Sequence, residues 1–259
     1  MKPRALAIAA HPDDIEFTMA GTLLRLGEVG YELHYMNLST GSLGSAEWNA
    51  AKTRVARGAE AKRAAKTLGA HWHGPLCDDL EILYELKTLR RLAAVIRDVA
   101  PQIILTHPPV DYMEDHTETC RLVVTAAFSR GMPNFVTTPK RKAVDGEVTI
   151  YHSQPHLNRD PLGQLVHPEF YVDVENQLAT QRQALAEHRS QKEWLDTSQG
   201  MDSYLATMEN LKLEVGRMSR CFKFAEGWRR HLYAGFCSPE ADPLRAALKT
   251  GITQSAAPT

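Results

Sequence analysis

Short apolar runs alternate with longer amphipathic runs over the first 106 residues, and this alternation limits the fold more than any other feature of the chain. The amphipathic runs Lys52–Leu68 and Glu85–Val99 have helical character. Strands that alternate with helices build βαβ units around a parallel sheet. We therefore predict an α/β fold with a mostly parallel sheet flanked by helices. The predicted strands are Ala5–Ala10, Tyr31–Leu38, Gly69–Gly74 and Gln102–Thr106.

The alternation of apolar and amphipathic runs becomes less regular after residue 130. The connection Ser153–Pro168 is longer than the usual roughly 4–6 residues, which favours a functional rim or a small subdomain. The aromatic and basic cluster between Trp228 and Phe236 is expected to pack on the core or to contact a second subunit. We predict one domain over residues 1–249, with a C-terminal strand and helix extension and a disordered tail over 250–259. The later predicted elements are the strands Val148–Tyr151 and Phe170–Val174 and the helices Gln177–His188 and Met201–Phe224.

Charge and hydropathy exclude several classes of protein. The formal net charge is −1, so nothing indicates nucleic-acid binding, and the short basic run Lys140–Lys142 is expected to be a solvated loop. No stretch approaches the roughly 20 apolar residues of a membrane span, and the first apolar run is too short for a secretory signal. We expect a cytoplasmic protein without a membrane partner.

Four widely spaced cysteines form no Cys-x-x-Cys pair and suit reduced thiols: Cys77, Cys120, Cys221 and Cys237.

A histidine and two carboxylates directly follow the first predicted strand, in the string His11-Pro12-Asp13-Asp14. The carboxyl end of a strand in an open α/β sheet faces the ligand crevice. His11 and Asp14 are therefore candidates to share a divalent metal, which leaves Asp13 free as a base. The alternative is structural, because Asp13 and Glu16 have the spacing of a capping box for the next helix.

A second polar connection follows the strand Gln102–Thr106 and contains His116. Together with His11 and Asp14, His116 completes a set of two histidines and one carboxylate, which is the open ligand set of hydrolytic zinc sites. A cap is again the alternative, with Asp115 and Glu118 three residues apart. Two such connections, each carrying histidine and aspartate, are harder to explain by capping alone.

The first motif resembles the signature of the PIG-L/LmbE-like metal-dependent de-N-acetylases. Members usually read AHPDDE-x-x-x-GGT, whereas here Ile15 stands before Glu16 and Ala20-Gly21-Thr22 replaces GGT. The resemblance extends over the chain up to the last tail. Its further matches are the loop Thr40–Gly44, the helical Arg57-x-x-Glu60, the motif Asp111–His116 and the late His188-x-Ser190-Gln191.

The resemblance implies a Rossmann-like sheet and the removal of an acetyl group from an N-acetylated amino sugar, such as an N-acetylglucosamine, or from its conjugate. It implies a divalent metal on the ligand set given above, most simply zinc, with iron, cobalt or nickel as alternatives, and Asp13 as the base. Arg57 and Tyr112 are candidate substrate contacts, and a surface pair with Glu60 is the alternative for Arg57. The expected partners are a small N-acetylated substrate and further copies of the chain in a homo-oligomer.

One departure from the family pattern concerns the general acid that protonates the departing amine. Many members carry histidine three residues before the last metal histidine, where this chain has Met113, and a thioether cannot donate a proton. His107 and His188 are the candidate replacements, and return of the proton by Asp13 is the third possibility. Two alternatives without hydrolysis also stand: a metal-binding protein, and a Rossmann-like binding module. Against both, adjacent carboxylates repel each other unless a cation or a catalytic task keeps them.

Overall fold

The computed structural model describes residues 2–192 and 204–255. Within them, one sheet of eight strands has the order β3-β2-β1-β4-β5-β7-β6-β8. The strands are β1 (Arg4–Ala9), β2 (Glu32–Asn37), β3 (His71–His73), β4 (Ile103–Thr106), β5 (Thr149–Ser153), β6 (Phe170–Asp173), β7 (Ala225–Arg230) and β8 (Ile252–Gln254). The described helices are α1 (Asp14–Thr18), α2 (Ala20–Glu28), α3 (Ala50–Thr67), α4 (Leu86–Val99), α5 (Glu114–Phe128), α6 (Leu178–Leu185), α7 (Tyr204–Ser219) and α8 (Pro243–Leu248).

The first five strands of the chain are parallel, as the alternation predicts. β1 lies between β2 and β4, and Ala5–Ala10 is fully buried because helices cover both faces of the sheet. The apolar residues of α2 and α3 pack on one face, and those of α4 and α5 pack on the other. The predicted α/β fold is thus confirmed, and the carboxyl ends of β1 and β4 lie side by side.

The C-terminal part adds antiparallel strands to this sheet. β7 pairs with β5 and β6, so the cluster that begins at Trp228 is partly a central strand, and the indole Nε1 donates to Thr22 Oγ1 at 2.8 Å. The predicted disorder of the tail is wrong for β8, which pairs with β6 as an edge strand. Three residues are too few to show an alternating pattern in the sequence. Residues 256–259 lie outside the described part of the chain.

The predicted helix boundaries shift by a few residues. The helix predicted over Gln177–His188 is limited to α6, and a 3-10 turn precedes it at Glu175–Gln177. The helix predicted over Met201–Phe224 corresponds to α7, and the first three residues of the predicted range lie outside the described residues.

In residues 2–192 and 204–255, no helix has the length and apolarity needed to cross a membrane.

Candidate active site

The neighbouring ends of β1 and β4 bring the two polar motifs together. The backbone N–H of Ala10 donates to His107 Nε2 at 3.0 Å, which ties the two connections at their first residues. Beyond this link, His11, Asp14 and His116 each offer one ligand atom, and these atoms lie within 4.8 Å of one another. The three residues that the sequence predicts as metal ligands therefore converge.

A second carboxylate lies behind each histidine of this set. His11 Nε2 is 2.9 Å from Asp115 Oδ2, and His116 Nδ1 is 3.0 Å from Asp111 Oδ1. Each carboxylate accepts a hydrogen bond from the nearer ring nitrogen, so the other ring nitrogen faces Asp14. His11 Nδ1 and His116 Nε2 both lie 3.4 Å from Asp14 Oδ2. Carboxylates that orient ligating histidines in this way are typical of metal sites, so the donor set fits a zinc-type ion.

The electrostatics of this cluster suit a cation. Burial lowers the pKa of His11, but the hydrogen bonds to Asp115 and Asp14 outweigh it and raise the pKa to about 9. Burial likewise lowers the pKa of His116, and the charge of Asp14 with the hydrogen bond from Asp111 raises it to about 10. Burial raises the pKa of Asp14, yet the surrounding histidines, His116 foremost, hold it well below its usual range. The carboxylates thus attract positive charge, which protons supply and which a metal ion would replace.

Asp13 precedes α1 with a left-handed backbone, φ 104°, and its side chain turns inward. Tyr204 Oη donates to Asp13 Oδ2 at 2.6 Å, and Arg57 Nη2 lies 3.5 Å from the same oxygen. The Arg57 guanidinium also donates to the carbonyl of Pro12 at 2.5 Å. Burial raises the pKa of Asp13 to about 6, although the charge of Arg57 opposes this rise. A buried carboxylate with such a pKa beside a candidate metal site is suited to accept a proton near neutral pH.

Neither capping alternative occurs. The Asp13 side chain makes no cap hydrogen bond to α1, and Glu16 is fully buried, where it accepts from Tyr35 Oη at 3.2 Å. Helix α5 begins after Met113 without a side-chain cap, and Asp115 bonds to His11 instead. Neither aspartate therefore forms a side-chain cap, although both lie where a helix begins.

Arg57 and Glu60 do not form the surface pair considered above. Both side chains are buried, 3% and 6% exposed, because α3 packs this face against the loop after β2. Glu60 accepts from the backbone N–H and the hydroxyl of Ser190, at 3.0 and 2.6 Å. Arg57 lies beneath the first motif, close to Gly41 and Gly44. It contacts Asp13, so its structural position is that of a support for the carboxylate.

The two histidines predicted as candidate general acids, His107 and His188, are buried. His107 is 3% exposed, its Nε2 accepts the N–H of Ala10 and therefore carries no proton, and its ring stacks on that of His116 at 4.1 Å. Burial lowers the pKa of His107. His188 is fully buried, with Nε2 3.5 Å from Glu16 Oε1. Neither imidazole faces the open side of the site.

The open side is formed by Tyr112 and by the connection after β5. Tyr112 is 54% exposed and meets the ring of His116 edge-on, with ring centroids 5.7 Å apart. His156 lies beyond it, 5.9 Å from the Tyr112 ring. His156 belongs to the connection that the sequence predicts as a functional rim, but no local pattern distinguishes it. Tyr204 has no sequence signal at all, because it reaches Asp13 across 191 positions.

This fold and this site define a class of protein: an α/β protein with a mostly parallel sheet, in which two histidines and one aspartate converge in the segments that follow two adjacent parallel strands. Comparison with known families narrows the class. Residues 6–127 match the model of the PIG-L family, which is described as GlcNAc-PI de-N-acetylase. The predicted family resemblance is confirmed.

Two relatives with curated names differ in their chemistry. Diacetylchitobiose deacetylase of Thermococcus kodakarensis is 28% identical over 233 residues, which cover 87% of this chain and 82% of the relative. The 4-oxalmesaconate hydratase of Pseudomonas putida is 32% identical over 160 residues, which cover 59% of this chain and 61% of the relative. The longer match is to a deacetylase and the more identical one is to a hydratase.

Solved structures share the fold over nearly the whole chain. The 4-carboxy-2-hydroxymuconate hydratase of Pseudomonas putida superposes with a TM-score of 0.72 and 23% identity, covering 90% of this chain and 97% of its own. N,N'-diacetylchitobiose deacetylase from Pyrococcus horikoshii gives a TM-score of 0.72 and 20% identity, covering 88% and 83%. At these identities the likeness establishes a common fold.

Proposed function

We propose that this protein is a metal-dependent hydrolase that removes the acetyl group from an N-acetylated amino sugar or its conjugate. The observation that carries the proposal is Asp13, a buried carboxylate with a raised pKa, held beside three converging metal ligands. The PIG-L match and the 87% coverage of the chain by a deacetylase relative support it. They do not favour the two alternatives without hydrolysis.

Within this proposal the metal belongs to His11, Asp14 and His116, and zinc is the first expectation, ahead of iron, cobalt or nickel. Bound there, a divalent ion would polarise the amide carbonyl and make water more acidic. Asp13 accepts the proton of the attacking water and returns it to the departing amine.

The remaining site residues position the reactants. Tyr204 and Arg57 fix the Asp13 carboxylate, so the role we propose for Arg57 changes from substrate contact to positioning residue. Tyr112 keeps its proposed role as a substrate contact, since its ring stands exposed beside His116.

Addition of water to a carbon–carbon double bond is a second candidate function. The 32% identity to a hydratase favours it. Both reactions activate water and differ in whether a C–N bond breaks. The choice therefore depends on the product.

The deciding experiment measures products from protein loaded with zinc, iron, cobalt or nickel. We expect acetate release from N-acetylglucosamine, N,N'-diacetylchitobiose or a conjugate of them. Asp13→Asn should keep its metal and lose roughly 10²–10⁴-fold in rate, the range for loss of a general base. Hydration of 4-oxalmesaconate without acetate release would establish the second candidate. Near-normal acetate release by Asp13→Asn would contradict the role of Asp13.

A further inference from the structure

The oxygen of the substrate's acyl group gains negative charge during attack, and a fixed hydrogen-bond donor at that oxygen accelerates such reactions. The thioether of Met113 cannot act as such a donor, and the enclosed His107 and His188 do not face the open side. The described residues do contain one further imidazole beside the site. It is His156, the first residue of the 3-10 turn His156–Asn158 that follows β5.

Two aromatic rings hold His156 between the two motifs. Its ring centroid lies 5.5 Å from that of Phe17 in an edge-on arrangement, and 5.9 Å from that of Tyr112. Phe17 stands on α1, three residues after Asp14, and Tyr112 precedes α5, four residues before His116. His156 therefore spans the opening from the side of the sheet that carries β5.

The ring nitrogens of His156 are available. No residue of the described part of the chain donates to or accepts from them, and the side chain is half-buried. The other site histidines are engaged, as shown by the bonds of His11 to Asp115 and of His116 to Asp111. An imidazole fixed by ring packing, with free nitrogens and partial exposure, is arranged to meet a ligand.

The charged groups around His156 come from both motifs. Asp14 on α1 and Asp111 before α5 raise its pKa, His116 on α5 lowers it, and Tyr112 packs against the ring. Burial is the largest of these influences, and the net effect lowers the pKa of His156. The side chain is therefore a neutral imidazole at neutral pH. A neutral imidazole donates a hydrogen bond to a developing oxyanion without losing a proton.

Resting on the proposed deacetylation, we propose that His156 is a catalytic residue that donates a hydrogen bond to the acyl oxygen of the substrate. The proton balance is unaltered. Asp13 takes one proton from water and returns it to the amine as the C–N bond breaks, and His156 keeps its own.

Two substitutions of different chemistry test this role. His156→Phe keeps the ring packing but removes the donor, and we expect kcat/KM to fall by roughly 10²–10³-fold, the range for loss of one oxyanion donor. His156→Gln keeps a donor and should retain more activity than His156→Phe. His167→Gln, on the same connection, is the matched control and should behave as wild type. Metal content should be unchanged in all three.

Binding gives a readout independent of turnover. A methylphosphonate analogue of the N-acetyl sugar carries an anionic oxygen in tetrahedral geometry. Calorimetry on metal-loaded protein should show at least about tenfold weaker binding of this analogue to His156→Phe. In wild-type protein with ¹⁵N-labelled histidine, the analogue should shift the ring signals that are missing from His156→Phe.

Distinct results would overturn the inference and the proposed function. Wild-type deacetylation with unchanged kcat/KM in His156→Phe would overturn the role of His156 alone. Unmoved ring signals, or loss of metal in His156→Phe, would do the same. Absence of acetate release from wild type with a shifted His156 signal would contradict the deacetylation and still place His156 at the ligand's oxygen.

Discussion

Asp13 combines a left-handed backbone with a buried negative charge. A non-glycine residue in this region costs about 1–3 kcal/mol, and a carboxylate taken out of water costs on the order of several kcal/mol. Tyr204 and Arg57 offset part of that cost by a hydrogen bond and a positive charge. The residue thus depends on two partners from distant parts of the chain.

Tyr204→Phe tests this dependence. The change removes the O–H that donates to Asp13 at 2.6 Å, and this hydrogen bond is one of the factors that lower the Asp13 pKa. A base must be unprotonated to act, so the acidic limb of the pH–rate profile should move to higher pH. The rate at neutral pH should fall by less than in Asp13→Asn. Tyr233→Phe, at a partly exposed tyrosine remote from Asp13, is the control. An unmoved acidic limb would show that Tyr204 does not tune Asp13.

The three candidate metal ligands can be tested by direct measurement of bound metal. His11→Ala and His116→Ala each remove one of three converging donors, and the loss in metal affinity should exceed the roughly 10–100-fold cost of changing an outer partner. His71→Ala, at an exposed strand residue, should retain wild-type metal content. Metal analysis after dialysis distinguishes these results. Full occupancy in both ligand variants would refute the assignment.

At the scale of elements, the loop after β2 and helix α3 form the support for Asp13. A methyl group on Gly44 would lie 2.4 Å from Arg57 Nη1 and 2.8 Å from Gln191 Oε1, whereas one on Gly58 of α3 would meet no atom within 4 Å. The Arg57 guanidinium is the end of a flexible side chain, so it would have to move away from this methyl group. The loop therefore restricts the position of Arg57 because its backbone lies so close to the guanidinium.

Two glycine substitutions separate this support from helix stability. Gly44→Ala should displace Arg57 and lower kcat about tenfold, the lower part of the range that misplaced catalytic groups show. Gly58→Ala should keep activity and raise stability by about 0.5–1 kcal/mol, because alanine favours the helix interior. Steady-state kinetics and urea unfolding on both variants check this. Equal activity of the two variants would argue against a positioning role for Arg57.

Whether a strand could be predicted from the sequence depended on how it is buried. Strands β1 and β4 are buried on both faces, so they appear in the sequence as continuous apolar runs. Strand β7 carries a buried carboxylate, Glu226, and a glycine, and this composition resembles a loop. β8 is too short for a period to be seen.

The same distinction applies to the site. His11, Asp14 and His116 belong to short motifs next to predictable strands, and parallel pairing of those strands brings them together. Tyr204 and His156 contact the motifs only through the packing of the later chain, which no local pattern encodes. The enclosure of His107 likewise depends on pairing between strands.

At the scale of the whole molecule, a buried ion pair joins the C-terminal part to the first motif. Lys212 Nζ lies 2.6 Å from Glu226 Oε1, and both side chains are 2% exposed. Glu226 also accepts the N–H groups of Gly21 and Thr22 at the start of α2, at 2.9 and 2.7 Å. Residues of α2, α7 and β7 therefore meet at one carboxylate, and α7 also carries Tyr204.

Removing one charge of this pair should be costly. Glu226→Gln leaves the Lys212 ammonium buried without its counter-charge, and we expect a loss of about 3–5 kcal/mol in the free energy of unfolding. The double variant Lys212→Met/Glu226→Gln should recover part of that loss. Arg182→Ala breaks an exposed pair with Glu209 and should cost no more than about 1 kcal/mol. Denaturant titration measures all three. A double variant less stable than Glu226→Gln would contradict this account.

The left-handed backbone at Asp13 has a consequence for how this gene would drift. Asparagine tolerates the left-handed conformation as aspartate does, but it would leave the buried Arg57 guanidinium without its counter-charge. In descendants of this gene that lose turnover, we therefore expect the residues at positions 13 and 57 to change together.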